Sequence, residues 1–247
     1  CQGAMRCGRR TCTPADRGQI APYTRARAVE AGWTWRIPLQ NRVGNGYVYS
    51  SDHISDEQAL ESLRSGLEGS VLGEPNLVRF RAGHVRRFWI GNCVAVGLAT
   101  GFLEPLESTS ISLIQMGIDK LLHFWPDEGM GPDRWAQLSC EYIRLSVTEF
   151  ERIRDFLILH YSANGRRDGE LWRYCRGMPL PETLVRKIAL YRAKGLIQQF
   201  DSESFFDASW FCMYGNFGIE AESWDPLANL LPLGELAEVT RRVREGI

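Results

Sequence analysis

Two periodicities divide the chain. Up to about residue 105, apolar positions alternate with polar ones or gather in short runs; beyond it they recur every three or four residues. Trp33, Trp35 and Ile37 alternate with Thr34, Arg36 and Pro38, which predicts a strand with its large side chains on one face. Pro38 ends regular pairing, and Asn45-Gly46 is a strong short-range turn signal. An antiparallel hairpin of residues 32–39 with 46–50 is therefore expected. Ser55 and Gln58 form a capping box, and Leu60, Leu63 and Leu67 follow at helical spacing, so a helix is expected over 56–67. Residues 76–81 and 85–90 read as a second hairpin, with Arg79, Arg81, Arg86 and Arg87 on a solvated face. Residues 93–97 read as a buried strand of small side chains. Residues 1–20 lack periodicity and read as loop, a short strand near 20–23 being the one candidate element there.

The second half is helical. Ile111, Ile114, Ile118, Leu121, Leu122 and Trp125 make one apolar stripe. Pro132 is placed to start a long helix running to Tyr161, with a potential break at Val147-Thr148 and a stop at Asn164-Gly165. Further helices are expected over 168–176, 181–194, within the aromatic-rich 203–214, and over 233–244. The class is α/β, or α+β within this chain: antiparallel hairpins followed by a helical C-terminal subdomain. Its parts are a poorly defined segment 1–20, a β-rich portion 21–106 and a helical portion 107–247.

Composition narrows the class of function. The 247 residues are 44% hydrophobic and 24% charged, with a net charge of −1, so nothing draws the chain toward nucleic acid or an anionic membrane. Seven cysteines without a CxxC pair fit reduced thiols better than zinc or a disulfide framework. The four histidines, 53, 84, 123 and 160, do not cluster, so no metal site is expected and His160 reads as structural. No apolar run approaches the ~20 residues of a membrane span, and there is no signal-peptide core; a cytoplasmic location is expected. The start at Cys1, inside a Cys/Arg-rich passage, reads as that of a fragment.

Candidate chemistry concentrates in residues 101–111, GFLEPLESTSI. Glu104 and Glu107 flank a sharp Pro105 turn, and Ser108, Thr109 and Ser110 open a helix whose free amides suit an anion. On residue chemistry alone, Glu107 reads either as a catalytic carboxylate or as a charge stabilising the following helix, and Glu104 as structural. Trp33 and Trp35 alone read as a buried strand face. Trp210, Phe211 and Tyr214 read equally as a stacking platform for an indole or phenol ring and as packing between helices.

Trp33-Thr34-Trp35-Arg36-Ile37-Pro38 resembles the WxWxIP motif of the flavin-dependent tryptophan halogenases. The likeness continues through residues 44–51, is strongest over 92–111 with its FLEPLEST run, and stays recognisable in 155–161 and 171–179, covering roughly residues 20 to 240. The resemblance implies a fold like that of FAD-dependent monooxygenases, with a helical addition forming the substrate pocket. It implies that reduced FAD, O2 and chloride or bromide yield hypohalous acid, which a lysine and a glutamate direct onto an aromatic ring. WxWxIP, here Trp33, Trp35, Ile37 and Pro38, would keep the flavin site from ordinary monooxygenation. Glu107 matches the catalytic glutamate. Ser108 and Thr109 match residues at the flavin edge, Gly91, Asn92 and Gly97 the backbone beside FAD, and the amides of Thr109 and Ser110 the halide site. Tryptophan-specific members carry Gly where this chain has Ser110; an amide donor remains. The implied partners are a small aromatic substrate such as tryptophan or another indole and a flavin reductase, with a homodimer left open. The family's GxGxxG loop does not occur here, and Lys120, Lys187 and Lys194 match nothing like its catalytic lysine. The chain is therefore expected to be the C-terminal half of a halogenase, inactive alone. The alternatives are a related flavin monooxygenase, against which WxWxIP argues, and a non-catalytic helical binding module.

Overall fold

Alternation builds a five-stranded sheet. In the structure, a computed structural model that describes residues 5–12, 20–230 and 232–245, strands β1 (Met5–Cys12), β2 (Arg25–Val29), β3 (Gly32–Pro38), β4 (Val43–Ser50) and β5 (Asn76–Phe80) pair in the order β2-β3-β4-β1-β5. Every pairing is antiparallel. Residues 5–12 are thus a strand and not loop. They are flanked by β4 and β5, and Met5, Cys7 and Cys12 are buried. Arginine and glycine between those positions hide the alternation in the sequence. The loop reading of residues 1–4 and 13–19 lies outside the described residues. The strand sought near 20–23 begins only at Arg25.

The first hairpin forms, but not around Asn45-Gly46. It turns at residues 39–42, where the Leu39 amide donates to the Arg42 carbonyl at 2.9 Å. Asn45 and Gly46 lie inside β4, and Gly46 is paired with Trp35. A Cβ on Gly46 would sit 2.2 Å from the Trp35 ring, so the glycine serves the indole and not a turn. Asn45 is buried and donates to the Val43 carbonyl at 3.2 Å. The second hairpin does not form as expected. Strand β5 joins β1, β6 (Gly83–His84) pairs with β9 (Gly101–Phe102), and β7 (Trp89–Ile90) pairs with β8 (Cys93–Val94). The run at 93–97 is not buried: Cys93 is exposed and its successors are half-buried. Of the four arginines, Arg79 reaches Asp56 at 3.4 Å, and Arg81, Arg86 and Arg87 are exposed.

Each face of the sheet packs on helices. Met5, Cys7, Trp33 and Val48 meet Tyr161, Leu171, Trp172 and Cys175. On the other face Tyr47 and Tyr49 meet Ala59 and Leu63 of α1 (Asp56–Ser65). The expected capping box starts α1: the Ser55 hydroxyl accepts from the Gln58 amide, and the Gln58 side chain accepts from the Ser55 amide. Burial of each such large apolar side chain contributes about 1.5–3 kcal/mol.

Three helices follow: α2 (Ser110–His123), α3 (Pro132–Ala163) and α4 (Glu170–Gly177). Helix α3 runs for 32 residues without the break expected at Val147-Thr148. The Thr148 hydroxyl donates to the Arg144 carbonyl at 2.9 Å, so the β-branched residue is absorbed into the helix. Phe150, Ile153, Phe156 and Leu159 of α3 are buried, whereas α2 buries none of its residues. Ile111, Ile118, Leu122 and Trp125 of the expected stripe are exposed.

Contacts divide the chain into two compact units, Cys1–Pro179 and Leu180–Ile247, and the change from strand to helix at Glu107 falls within the first. The second unit contains α5 (Glu182–Lys194), α6 (Asp207–Asn216) and α7 (Leu233–Glu245). Gly195, at φ 65°, ends α5 in the left-handed conformation that glycine adopts without strain. Lys187 is buried in this unit. Its Nζ donates to the Gln198 carbonyl and to Glu203 Oε1, each at 2.6 Å, and lies 4.4 Å from the centre of the Trp210 ring. Among the described residues no helix is long and apolar enough to cross a membrane.

Candidate functional site

The FLEPLEST run folds as a strand end, a 3₁₀ turn and a helix start. Residues Pro105–Glu107 form the 3₁₀ turn, with proline in its first position, where a missing amide hydrogen costs nothing. Ser108 follows at φ 54°, a left-handed conformation that is uncommon for a side chain other than glycine. It closes the turn, its amide donating to the Pro105 carbonyl at 3.1 Å. Such conformations persist where the surroundings fix them, and they gather at functional sites.

The two carboxylates of this turn end in different environments. Glu104 is 8% exposed. Its Oε2 accepts from the Trp33 indole N–H at 2.9 Å and from the Tyr161 hydroxyl at 3.2 Å. Burial raises its carboxyl to about 7, against the opposing pull of those two hydrogen bonds. Burial and the adjacent Glu104 also push the Tyr161 hydroxyl up. Glu107 is half-buried, and its Oε1 lies 2.8 Å from His160 Nε2. The other ring nitrogen of His160, Nδ1, lies 2.9 Å from the Phe156 carbonyl oxygen. Consecutive residues in the last turn of α3 therefore hold both carboxylates: His160 takes Glu107 and Tyr161 takes Glu104. These contacts span 53 and 57 positions, which local pattern cannot reveal; the one sequence signal was that both residues fall inside the recognisable stretch 155–161.

Helix α2 leaves the turn with its amides open. Thr109, at the cap position, makes no side-chain cap, and the first intrahelical bond runs from the Leu113 amide to the Thr109 carbonyl at 2.9 Å. The amides of Ser110, Ile111 and Ser112 precede that bond and have no acceptor within the helix. Together with the positive end of a 14-residue helix they make an anion-receptive group. Thr109 and Ser110 lie at this end.

The residues matched to the flavin fall into two places. Gly91 and Asn92 are the exposed two-residue turn between β7 and β8, with Gly91 at φ 56°. Gly97, at φ 67°, lies against α2: a Cβ there would be 3.1 Å from Ile114 Cγ1. Ser108 is exposed and Thr109 buried at the head of α2. A Cβ on Gly91 would meet nothing within 4 Å. The matched residues are glycines, an asparagine and hydroxyl residues, donor types compatible with the polar edge of an FAD. Of the tryptophan motif, Trp33 is buried against Glu104, Trp35 is half-buried beside Gly46, and Ile37 is exposed at the hairpin end. In the second unit Trp210 and Tyr214 are fully buried and spend their rings on Lys187 and Tyr191, while Phe211 is exposed. Lys120 is bonded to Glu149 and Lys187 to Glu203, so neither stands open as a catalytic lysine would.

A cavity of about 470 Å3 is lined by Leu103, Glu104, Phe150, Leu157 and Tyr161, with Arg154 also on its wall; Glu107 is not among its lining residues. Among the described residues no group of three or more His, Cys, Asp or Glu could hold a metal ion.

The chain is similar to known proteins. The tryptophan halogenase family model matches residues 5–232. Tryptophan 6-halogenase SttH of Streptomyces toxytricini is 40% identical over 189 residues, which are 76% of this chain and 34% of that protein. Tryptophan 7-halogenase RebH of Lentzea aerocolonigenes is 36% identical over 203 residues, 82% of this chain and 37% of that protein. Among solved structures, BrvH, a flavin-dependent halogenase from Brevundimonas sp. BAL3, superposes with a TM-score of 0.88 at 42% identity, covering 99% of this chain and 49% of that one. The chain thus spans about a third of the length of the curated relatives it matches. A match over residues 5–232, most of the chain, makes this protein a member of the tryptophan halogenase family.

Proposed function

We propose that this chain supplies the catalytic turn and the substrate-side helices of an FAD-dependent halogenase that places chloride or bromide on an electron-rich aromatic ring such as tryptophan or another indole. The observation that carries the reading is the half-buried Glu107, fixed at the head of a helix whose first amides are uncapped. Support comes from relatives named as tryptophan 6- and 7-halogenases.

When bound, reduced FAD supplies, together with O2 and halide, the electrophilic halogen; a separate flavin reductase would provide it in the cytoplasm. The chain's own residues do the rest. Gly91, Asn92, Gly97, Ser108 and Thr109 would lie along the flavin edge. The amides of Thr109 and Ser110 would hold the halide by their hydrogen bonds and the helix field. The Trp33 indole donates to Glu104, a bond that would hold its ring in place beside the turn. Glu107 would polarise the halogenating species or accept the proton lost when the halogenated ring regains aromaticity. Both tasks need a carboxylate at a fixed place close to the ring. Trp210, Phe211 and Tyr214 would be the candidates for stacking on an indole or phenol ring, and of the three Phe211 has its ring exposed.

The test uses the full-length protein with reduced FAD, O2, bromide and indole. Glu107→Gln keeps the size and removes the charge, and turnover is expected to fall about 100-fold or more with FAD affinity unchanged. Turnover equal to that of the unaltered protein would end the assignment.

A further inference from the structure

We propose that His160 is the positioning residue for Glu107: it occupies one carboxylate oxygen, so that the other is the one presented to the reacting ring. The proposal rests on the reading of Glu107 given above.

The argument starts from hydrogen-bond inventory. A carbonyl oxygen only accepts, so at 2.9 Å from the Phe156 carbonyl His160 Nδ1 carries a hydrogen. That bond is made within α3, between residues four apart, and it fixes the plane of the imidazole. The Phe156 ring packs edge-on against it with centroids 5.1 Å apart, which removes the remaining rotational freedom. Nε2 is thereby aimed at Glu107 Oε1, 2.8 Å away, where a proton must bridge nitrogen and oxygen.

The consequence for Glu107 is selection between its two oxygens. Oε1 is engaged by His160, which leaves Oε2 for catalysis. In the deprotonation step the C–H bond of the halogenated ring breaks, its electron pair returns to the ring, and the proton passes to Oε2. A carboxylate free to rotate would present either oxygen and many angles, and misplacement by about 1 Å can cost on the order of 100-fold in rate. The neighbouring turn is fixed by the same helix, since Tyr161 holds Glu104. Thus α3 sets the carboxylate that reacts and the one that does not.

The experiment measures bromination of indole by the full-length protein. In His160→Phe, kcat is expected to fall about tenfold or more, with KM for indole within about twofold. His160→Gln, whose side-chain N–H can reach the same oxygen, is expected to recover most of kcat, whereas the shorter His160→Asn is not. In a Glu107→Gln background, His160→Phe is expected to add less than about a twofold loss, because the two residues act as one unit. Should the Phe variant fold poorly by thermal melting, the Gln and Asn pair carries the same contrast. The inference is overturned by undiminished kcat in His160→Phe or His160→Asn, or by losses that multiply in the double variant. If Glu107→Gln itself leaves turnover intact, the functional reading fails; if that variant is inactive while His160→Asn is fully active, only the role of His160 fails.

Discussion

Helix α3 buries Phe150, Ile153, Phe156 and Leu159 against the rest of its unit, while α2, with an apolar stripe of similar strength, leaves Ile111, Ile118 and Leu122 exposed. Periodicity in a sequence thus tells which way a helix faces and not what covers it. The contrast also divides labour at the turn that joins them in space. The end of α3 grips the turn through His160 and Tyr161, and the start of α2 leaves it with open amides. One helix fixes the acid, and the other leaves its first amides uncapped.

This contrast can be broken at three levels. The largest effect is expected in α3. Ile153→Ala, at a residue 0% exposed, should cost about 2–5 kcal/mol in urea unfolding of this chain. A loss below about 1 kcal/mol would mean that the α3 face is not packed as described.

Glu104 gives an intermediate effect with a definite sign. The folded chain holds the Glu104 proton up to about pH 7, whereas a carboxyl with the ordinary value of 4.5 releases it sooner on unfolding. The contribution of this residue is therefore fully present below pH 4.5 and is lost as pH rises to about 7. The slope is up to about 1.4 kcal/mol per pH unit, and Glu104→Gln should flatten that segment of the stability curve. If the variant and the unaltered chain show parallel curves between those limits, Glu104 is not the buried acid assigned here.

The smallest effect is expected in α2. Ile118→Ser should change stability of this chain by no more than about 0.5 kcal/mol, since the side chain is 46% exposed. A cost like that of Ile153→Ala would erase the distinction between the helices.

Elements whose signals are local were legible in the sequence. Ser55 and Gln58 announced α1 because a capping box is complete within four residues, and Gly195 closed α5 for the same reason. The Glu107 turn was legible because its motif is contiguous. Strand β1 was not, since its partners are β4 and β5, dozens of residues away, and its own arginines and glycine weaken the pattern. Asn45-Gly46 misled because glycine answers two needs, a turn or a close neighbour, and only the Trp35 ring decides between them. The bonds from Trp33 and Tyr161 to Glu104 join residues 71 and 57 positions apart and belong wholly to tertiary structure.

The lysines of this chain lead to a practical end. There are three, at 120, 187 and 194. Half-buried Lys120 is paired with Glu149 and buried Lys187 with Glu203, while Lys194 is exposed near the end of α5. Among its lysines the folded chain thus offers an amine-directed reagent one open side chain, a handle for a dye or a surface tether, set in the second unit and well apart in sequence from the Glu107 turn.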